Sequence, residues 1–272
     1  MDLRKYLEED IGSGDITAEI FLDDRLGKGV IVCEEDAIVA GLEEAREIFR
    51  LLGVSSEILI ADGNRVHAST RVLKVEGPIK GIMTGERTAL NFIMRMSGIA
   101  TMTAALTDVL RPIDPNVRIA GTRKTTPGFR TFEKKAIALG GGWPHRHGLF
   151  DMVMIKDNHI IASGGVSGAV EKIHLVPDDI PIEIEVTTIE DGLIAAEHGV
   201  DVIMADHMSP MMIKELREKA KAVNNNILIE ASGNITHDNL AEFAGCADII
   251  SVGALTHSVR SIHFSLDLEE KD

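Results

Sequence analysis

From Val117 onward the chain repeats one phrase: a short apolar run rich in β-branched residues, a loop, then a stretch with helical spacing. The apolar runs fall at 117–120, 152–155, 182–186, 202–205, 227–230 and 249–252, with helical patterns at 130–139, 166–174, 189–198, 210–223 and 238–243. Continuous rather than alternating apolar runs suit strands covered on both faces, so the phrase predicts a parallel sheet wrapped by helices. Six such units predict an open parallel α/β barrel with fewer than eight strands. An open doubly wound sheet is the competing topology. It is weakened because no glycine-rich dinucleotide fingerprint follows any of the strands.

In a parallel barrel the residues just past the strands open on a single face. Here they are Arg123 and Lys124 after the first strand and Lys156 after the second. Glu185 ends the third and Asp206 follows the fourth. Ser232-Gly233-Asn234 follows the fifth, and Gly253-Ala254-Leu255 the sixth. The last two loops read as a phosphate cradle: glycine allows close approach, and exposed N–H groups at a helix start favour an anion. Thr236 and Thr256 are candidate caps. Glu183 and Glu185 alternate onto one face of their strand. Glu185 reads either as a salt-bridge partner of Lys124 or Lys156, or, with Asp206, as a holder of sugar hydroxyls or magnesium.

Charge sharpens this picture. The chain carries a net charge of -15, yet residues 121–159 hold seven cations against three acids. Arg123, Lys124, Arg146 and Lys156 lie among glycine, proline and apolar residues, where an anionic ligand explains them best. Lys134 and Lys135 fit a solvated basic helix face. His145-Arg146-His147 lacks a third metal ligand in register, and His145 is the histidine expected at the site. His159 and His207 read as structural hydrogen-bond partners. The acidic balance, with one Trp and one Tyr, argues against nonspecific nucleic-acid binding. No signal peptide and no membrane span are expected, and Cys33 and Cys246 read as buried thiols in a reducing cytoplasm.

The first part of the chain reads as a compact α+β unit. Strands are expected at 29–33, 37–40, 57–61 and 71–76, and a helix at 42–52. A long helix follows from Gly85 to Leu110, capped by Thr84 and broken or kinked at Ser97-Gly98. By local pattern Arg87 and Arg95 are surface cations on it. The expected organisation is an N-terminal α+β sandwich domain with its linking helix (1–112), a barrel (113–262) and a tail (263–272) packing back on the first domain.

Several motifs resemble the quinolinate phosphoribosyltransferase family. They are Glu86-Arg87-Thr88-Ala89-Leu90-Asn91, Thr122-Arg123-Lys124-Thr125, Gly140-Gly141-Gly142 with His145-Arg146, and Ile155-Lys156-Asp157-Asn158-His159. Glu183-Ile184-Glu185-Val186, Ala231-Ser232-Gly233-Asn234-Ile235 and Ser251-Val252-Gly253-Ala254-Leu255-Thr256 continue the match in order. The resemblance implies transfer of a phosphoribosyl group from phosphoribosyl pyrophosphate to quinolinate, with decarboxylation and magnesium, in a cytoplasmic homodimer with shared sites. It also implies roles. Arg87 reaches the partner's site. Thr122, Arg123, Lys124, His145 and Arg146 bind quinolinate. Lys156 lies between a substrate carboxylate and pyrophosphate. Glu185 and Asp206 address ribose and metal, directly or through water. Residues 232–234 and 253–255 bind the 5′-phosphate. Lys124, Lys156, Glu185 and Asp206 carry the catalytic expectation. Pro144 stands where bacterial members carry an Asn before the histidine. The competing readings are a nicotinate phosphoribosyltransferase of the same barrel type, a noncatalytic paralogue that binds a phosphorylated ligand, and a Schiff-base aldolase using Lys124 or Lys156.

Overall fold

A computed structural model describes residues 2–269, which divide into two compact units. The first comprises the chain up to Met102, residues 138–140 and the segment from Val259 onward; the second comprises 103–137 and 141–258. The division falls inside a helix, at Met102/Thr103, ahead of the 112/113 point where the sequence rhythm changes.

In chain order the first unit contains α1 (Arg4–Ile11), α2 (Ile16–Phe21), β1 (Leu26–Cys33), β2 (Ala37–Ile38), α3 (Leu42–Leu51), β3 (Ser55–Ile58), β4 (Arg65–Val66) and β5 (Thr70–Pro78). Helix α4 (Ile79–Leu110) follows and passes into the second unit. β1, β5 and β3 form an antiparallel sheet. Its fourth strand comes from the far end of the chain, Phe264–Leu268, paired antiparallel with β1. α3 turns Leu42, Ala45, Ile48 and Phe49 inward and packs on β3 and β5. The strand expected at 57–61 lies earlier, at Ser55–Ile58, because Glu57 pairs with Lys74 and the register ends at Ile58.

α4 differs from the sequence expectation in three ways. It begins at Ile79, and Thr84 sits inside it with its hydroxyl donating to Asp15 at 2.9 Å. It runs unbroken through Ser97-Gly98. Ser97 hydrogen-bonds the backbone of Ala40 at both its N–H (2.9 Å) and its C=O (3.2 Å), and a Cβ on Gly98 would lie 2.2 Å from the Arg260 carbonyl oxygen. The pair therefore marks a close backbone approach, not a helix break. By length and composition α4 could also cross a bilayer, contrary to the expectation that no stretch could. Since 67% of its most apolar window is buried in the protein, it is a core helix here.

The second unit contains β6 (Arg118–Ala120), α5 (Arg130–Leu139, of which the last two residues count with the first unit), β7 (Val153–Ile155), α6 (Asp157–Ala162), α7 (Val166–Val170), β8 (Ile182–Val186) and α8 (Ile189–Glu197). It continues with β9 (Val202–Asp206), α9 (Pro210–Val223), β10 (Leu228–Ser232), β11 (Ile249–Ser251) and α10 (Ala254–His257). The strand order is β6-β11-β10-β9-β8-β7, and every pairing is parallel. The first strand thus pairs with the last instead of the second. That is the order of a barrel, and a doubly wound sheet would reverse direction part-way. The gap lies between β6 and β7. Trp143 partly fills it through a parallel bridge to Ala120, with its N–H 2.7 Å from the Ile119 oxygen. Ile119, Ile184, Ile203, Ile229 and Ile250 are at most 2% exposed. Asp248 ties α9 to the sheet by accepting from Arg217 (2.8 Å), Lys221 (2.9 Å) and the Ile229 N–H (3.0 Å).

Candidate active site

The carboxyl ends of the six strands surround a cavity of about 470 Å³. β6 leads into Gly121, Thr122, Arg123 and Lys124 on its wall, and β7 leads into Lys156. β8 supplies Glu185 and β9 ends on Asp206. β10 ends on Ser232, with Gly233 and Asn234 following. His145 and Arg146, from the segment beside the barrel gap, complete the wall. Arg123, Lys124, Arg146 and Lys156 therefore face one space, although they come from three separate stretches of sequence.

The cations are poised differently. Arg123 Nε is buried and has no acceptor among the described residues, so the side chain holds a donor that a ligand can use. Arg146 is buried, with Nη1 3.4 Å from the Met152 carbonyl. Lys156 donates to Glu185, and its own N–H donates to His159 Nδ1 at 2.9 Å, which fixes the start of α6. Three of the four non-glycine residues with positive φ among those described, His145, His207 and Asn234, line the cavity. Backbone strain of this kind gathers where a site needs it. Gly233 has φ of +100°, and a Cβ there would lie 2.7 Å from the His207 ring, so only glycine lets the 232–234 turn close over that histidine.

Beneath the cations lies a buried acid cluster. His145 Nε2 is 3.0 Å from Glu230 and 3.3 Å from Glu183, and both carboxyl groups are fully buried. Burial, then the facing Glu230, raises Glu183 to about 7. Burial works against a charged His145, but Glu183 and Glu230 outweigh it and raise the group to about 9. The three titrate as one unit. The Arg146 N–H donates to His145 Nδ1 at 2.8 Å, so the ring hydrogen sits on Nε2, between the carboxyl groups. The extra proton held near neutral pH then resides on a carboxyl group. The ligand atoms of the trio lie within 4.8 Å of one another, a spacing a metal would tolerate. A hydrogen on Nε2 removes the lone pair that a metal needs, so the cluster is built for protons. Both ring nitrogens of His145 are engaged inside the protein. This corrects the expectation of a direct carboxylate contact.

Arg130 and Lys134, also in the basic island, hold loop segments instead of facing the cavity. Arg130 Nε donates to Thr125 Oγ1 and its Nη1 to the His147 carbonyl, each at 2.9 Å. Glu133 accepts from the Thr126 N–H and hydroxyl, each at 3.0 Å. Lys134, read from sequence as solvated, is 1% exposed and donates to the Pro144 carbonyl.

A family model described as the N-terminal domain of quinolinate phosphoribosyl transferase matches residues 15–97, and the one for its C-terminal domain matches 99–267. The chain belongs to the quinolinate phosphoribosyl transferase family. A Bacillus subtilis protein named as a probable carboxylating nicotinate-nucleotide pyrophosphorylase is 40% identical over 270 residues, covering 98% of this chain and 92% of its own. The human carboxylating nicotinate-nucleotide pyrophosphorylase is 38% identical, covering 86% of this chain and 80% of its own. Among solved structures, NadC from Streptococcus pyogenes superposes with a TM-score of 0.92 at 36% identity, covering 99% of this chain and 96% of that one.

Against the roles that this family implies, the structure adds and removes. Arg87 is exposed on α4 in the first unit and is absent from the cavity wall. Gly253, Ala254 and Leu255 do not line the cavity either, and Leu255 is fully buried. Ser251 lines it in their place, and a Cβ on Gly253 would lie 3.2 Å from the Lys124 side chain. Thr256 is no cap: it sits within α10 and its hydroxyl donates to the Lys124 carbonyl at 2.8 Å. Glu230 and Ser251 are polar wall residues that sequence reasoning missed. The signal was available: Glu230 lies two residues before Ser232 on one strand and so shares its face.

Proposed function

We propose that this chain transfers the phosphoribosyl group of phosphoribosyl pyrophosphate to quinolinate with decarboxylation, yielding nicotinate mononucleotide, pyrophosphate and carbon dioxide for NAD biosynthesis. The observation that carries this reading is the convergence of Arg123, Lys124, Arg146 and Lys156 on one cavity that also holds Glu185 and Asp206. Two ring carboxylates call for several cations, and guanidinium groups can fix the ring plane. The ring nitrogen then needs no activation, because it is the nucleophile: its lone pair bonds to the anomeric carbon as the carbon–oxygen bond to pyrophosphate breaks. Lys156 stabilises the departing charge, and Glu185 and Asp206 favour the cationic sugar. With the nitrogen bonded, the ring is cationic and accepts the electron pair left when carbon dioxide departs; a proton then completes that carbon. Residues 232–234 suit the 5′-phosphate, with glycine permitting close approach.

Magnesium belongs to the same proposal. Glu185 and Asp206 are oxygen donors on adjacent paired strands and open to the cavity, so they fit a hard cation bound directly or through water, which when bound neutralises pyrophosphate charge. A homodimer in which Arg87 completes the partner's site accounts for a cation on α4 that meets no partner among the described residues. A cytoplasmic location fits a soluble NAD-forming activity. The test is an assay of quinolinate and nicotinate side by side, each with phosphoribosyl pyrophosphate and magnesium, reading carbon dioxide and pyrophosphate. Turnover of quinolinate with equal amounts of both products is expected. Turnover of nicotinate alone would overturn the reading. The human nicotinic acid phosphoribosyltransferase shares the fold at only 13% identity, with a TM-score of 0.60.

A further inference from the structure

We propose that Lys134 is a positioning residue for the dicarboxylate half of the site, fixing from inside α5 the turn that presents His145 and Arg146. The proposal rests on the function read above. Arg130, Glu133 and Lys134 stand three and four residues apart, on one side of a helix. Each of them grips a loop that carries site residues. Arg130 and Glu133 hold Thr125 and Thr126, directly after Arg123-Lys124. Lys134 holds the Pro144 carbonyl, and Arg130 holds that of His147 on the other side of His145-Arg146.

A buried ammonium is a costly way to fill space, since an apolar side chain would fill it without desolvation. What Lys134 supplies instead is a charged donor at one defined carbonyl. That carbonyl opens a turn in which His145 holds φ of +59° and the Arg146 N–H closes back on the histidine ring. A non-glycine residue in this region needs its flanks held. Proline at 144 has no N–H to contribute, so its carbonyl is the group at that position which α5 can grip.

Lys134 is also in charge contact with the cavity. Burial first, then Arg130 on its own helix and Arg146 and Arg123 on the loops, push its pKa down to about 8, with Asp151 opposing. A dianion paired with Arg123 and Arg146 relieves that repulsion and raises the group again. Binding of quinolinate near pH 8 therefore draws in a proton, whereas a purely structural lysine would be indifferent to the ligand.

The experiment compares wild type with Lys134→Met, measuring KM for each substrate and the protons taken up on quinolinate binding by calorimetry in buffers of different ionisation heat. We expect the quinolinate KM to rise about tenfold or more in Lys134→Met while that of phosphoribosyl pyrophosphate stays within roughly twofold. Proton uptake at about pH 8 should fall by about half a proton. Equal rises in both KM values, an unchanged quinolinate KM or equal proton uptake would overturn the proposal. Should Lys134→Met not fold, Lys134→Arg serves: it keeps the charge but does not titrate in this range, so uptake equal to wild type overturns the proposal. A wild-type chain that binds no quinolinate sinks the reading of function and this proposal with it. A wild-type chain that binds it no more tightly than Lys134→Met sinks this proposal alone.

Discussion

Glu183→Gln tests the buried acid cluster through stability alone. Glu183 has no accessible surface, and His145 Nε2 stands 3.3 Å from its carboxylate. Burial and Glu230 lift it from 4.5 to about 7, so holding it ionised in the fold costs about 3 kcal/mol relative to the unfolded chain. The direction follows. Between pH 4.5 and about 7 the unfolded chain has released this proton and the fold has not, so the group's contribution to stability falls as pH rises through that window.

Glutamine at 183 keeps the shape and cannot titrate. It can also donate an amide hydrogen to Glu230, which still accepts from His145 at 3.0 Å. We expect Glu183→Gln to match wild type at about pH 4.5 and to gain on it as pH rises, by up to about 3 kcal/mol above about pH 7. Urea unfolding of both proteins across that range measures the difference. A difference that does not change with pH, or one that grows in favour of wild type as pH rises, would refute the reasoning.

Three further outcomes are expected. Gly233→Ala places a methyl 2.7 Å from the His207 ring at a φ of +100°, so the turn must open; KM for phosphoribosyl pyrophosphate should rise about tenfold while quinolinate affinity holds, and an unchanged KM would remove residues 232–234 from the phosphate site. Asp248→Asn strips the charge that Arg217 and Lys221 share; burial opposes the carboxylate, but Arg217, the Ile229 N–H and Lys221 together hold its pKa below 3.8. That stability is present above 3.8 and lost as pH falls through the folded value, so near neutral pH the variant should lose about 2–4 kcal/mol in denaturant unfolding, and a loss near zero would contradict it. Lys156→Ala should cut kcat by about 10²–10³ with little change in thermal midpoint, and mixing it with Arg87→Ala should restore part of the activity through hybrid dimers; verified mixed dimers without activity would exclude a shared site.

Much of the barrel was legible because its strands obey a local rule. The central residues of the strands at 182–186, 202–206, 228–232 and 249–251 are buried on both faces, and short apolar segments between helical stretches are what such burial favours, even where Glu183 and Glu230 interrupt them. The preference for a barrel over an open sheet rested on indirect grounds, the number of units and the missing dinucleotide fingerprint, and the contact that realises it, β6 pairing with β11, joins the two ends of the unit. α4 failed for a related reason. Ser97-Gly98 has the local chemistry of a break, and only the distant Ala40 and Arg260 backbones, packed against it, explain why a small pair stands there in an unbroken helix. Tertiary contact overrode a correct local preference.

The site shows the same division more finely. Arg123, Lys124, Lys156, Glu185 and Asp206 could be placed at one mouth because strand ends in a parallel barrel share a direction, which the sequence pattern carries. The sign of a side chain's job was another matter. Seven cations in one stretch read alike as anion ligands or solvated charge, yet Lys134 proves to be 1% exposed and spent on a carbonyl, while Lys124, ten residues earlier, is exposed at the cavity. Helical spacing says which face a lysine shares with Arg130; it cannot say whether another loop will cover that face. Here the cover is the 143–147 segment, brought in because Trp143 bridges to β6 across the barrel gap. The incomplete barrel and the buried lysine therefore have one cause: a missing strand leaves an edge, a loop lies along it, and α5 holds the loop that presents two site residues.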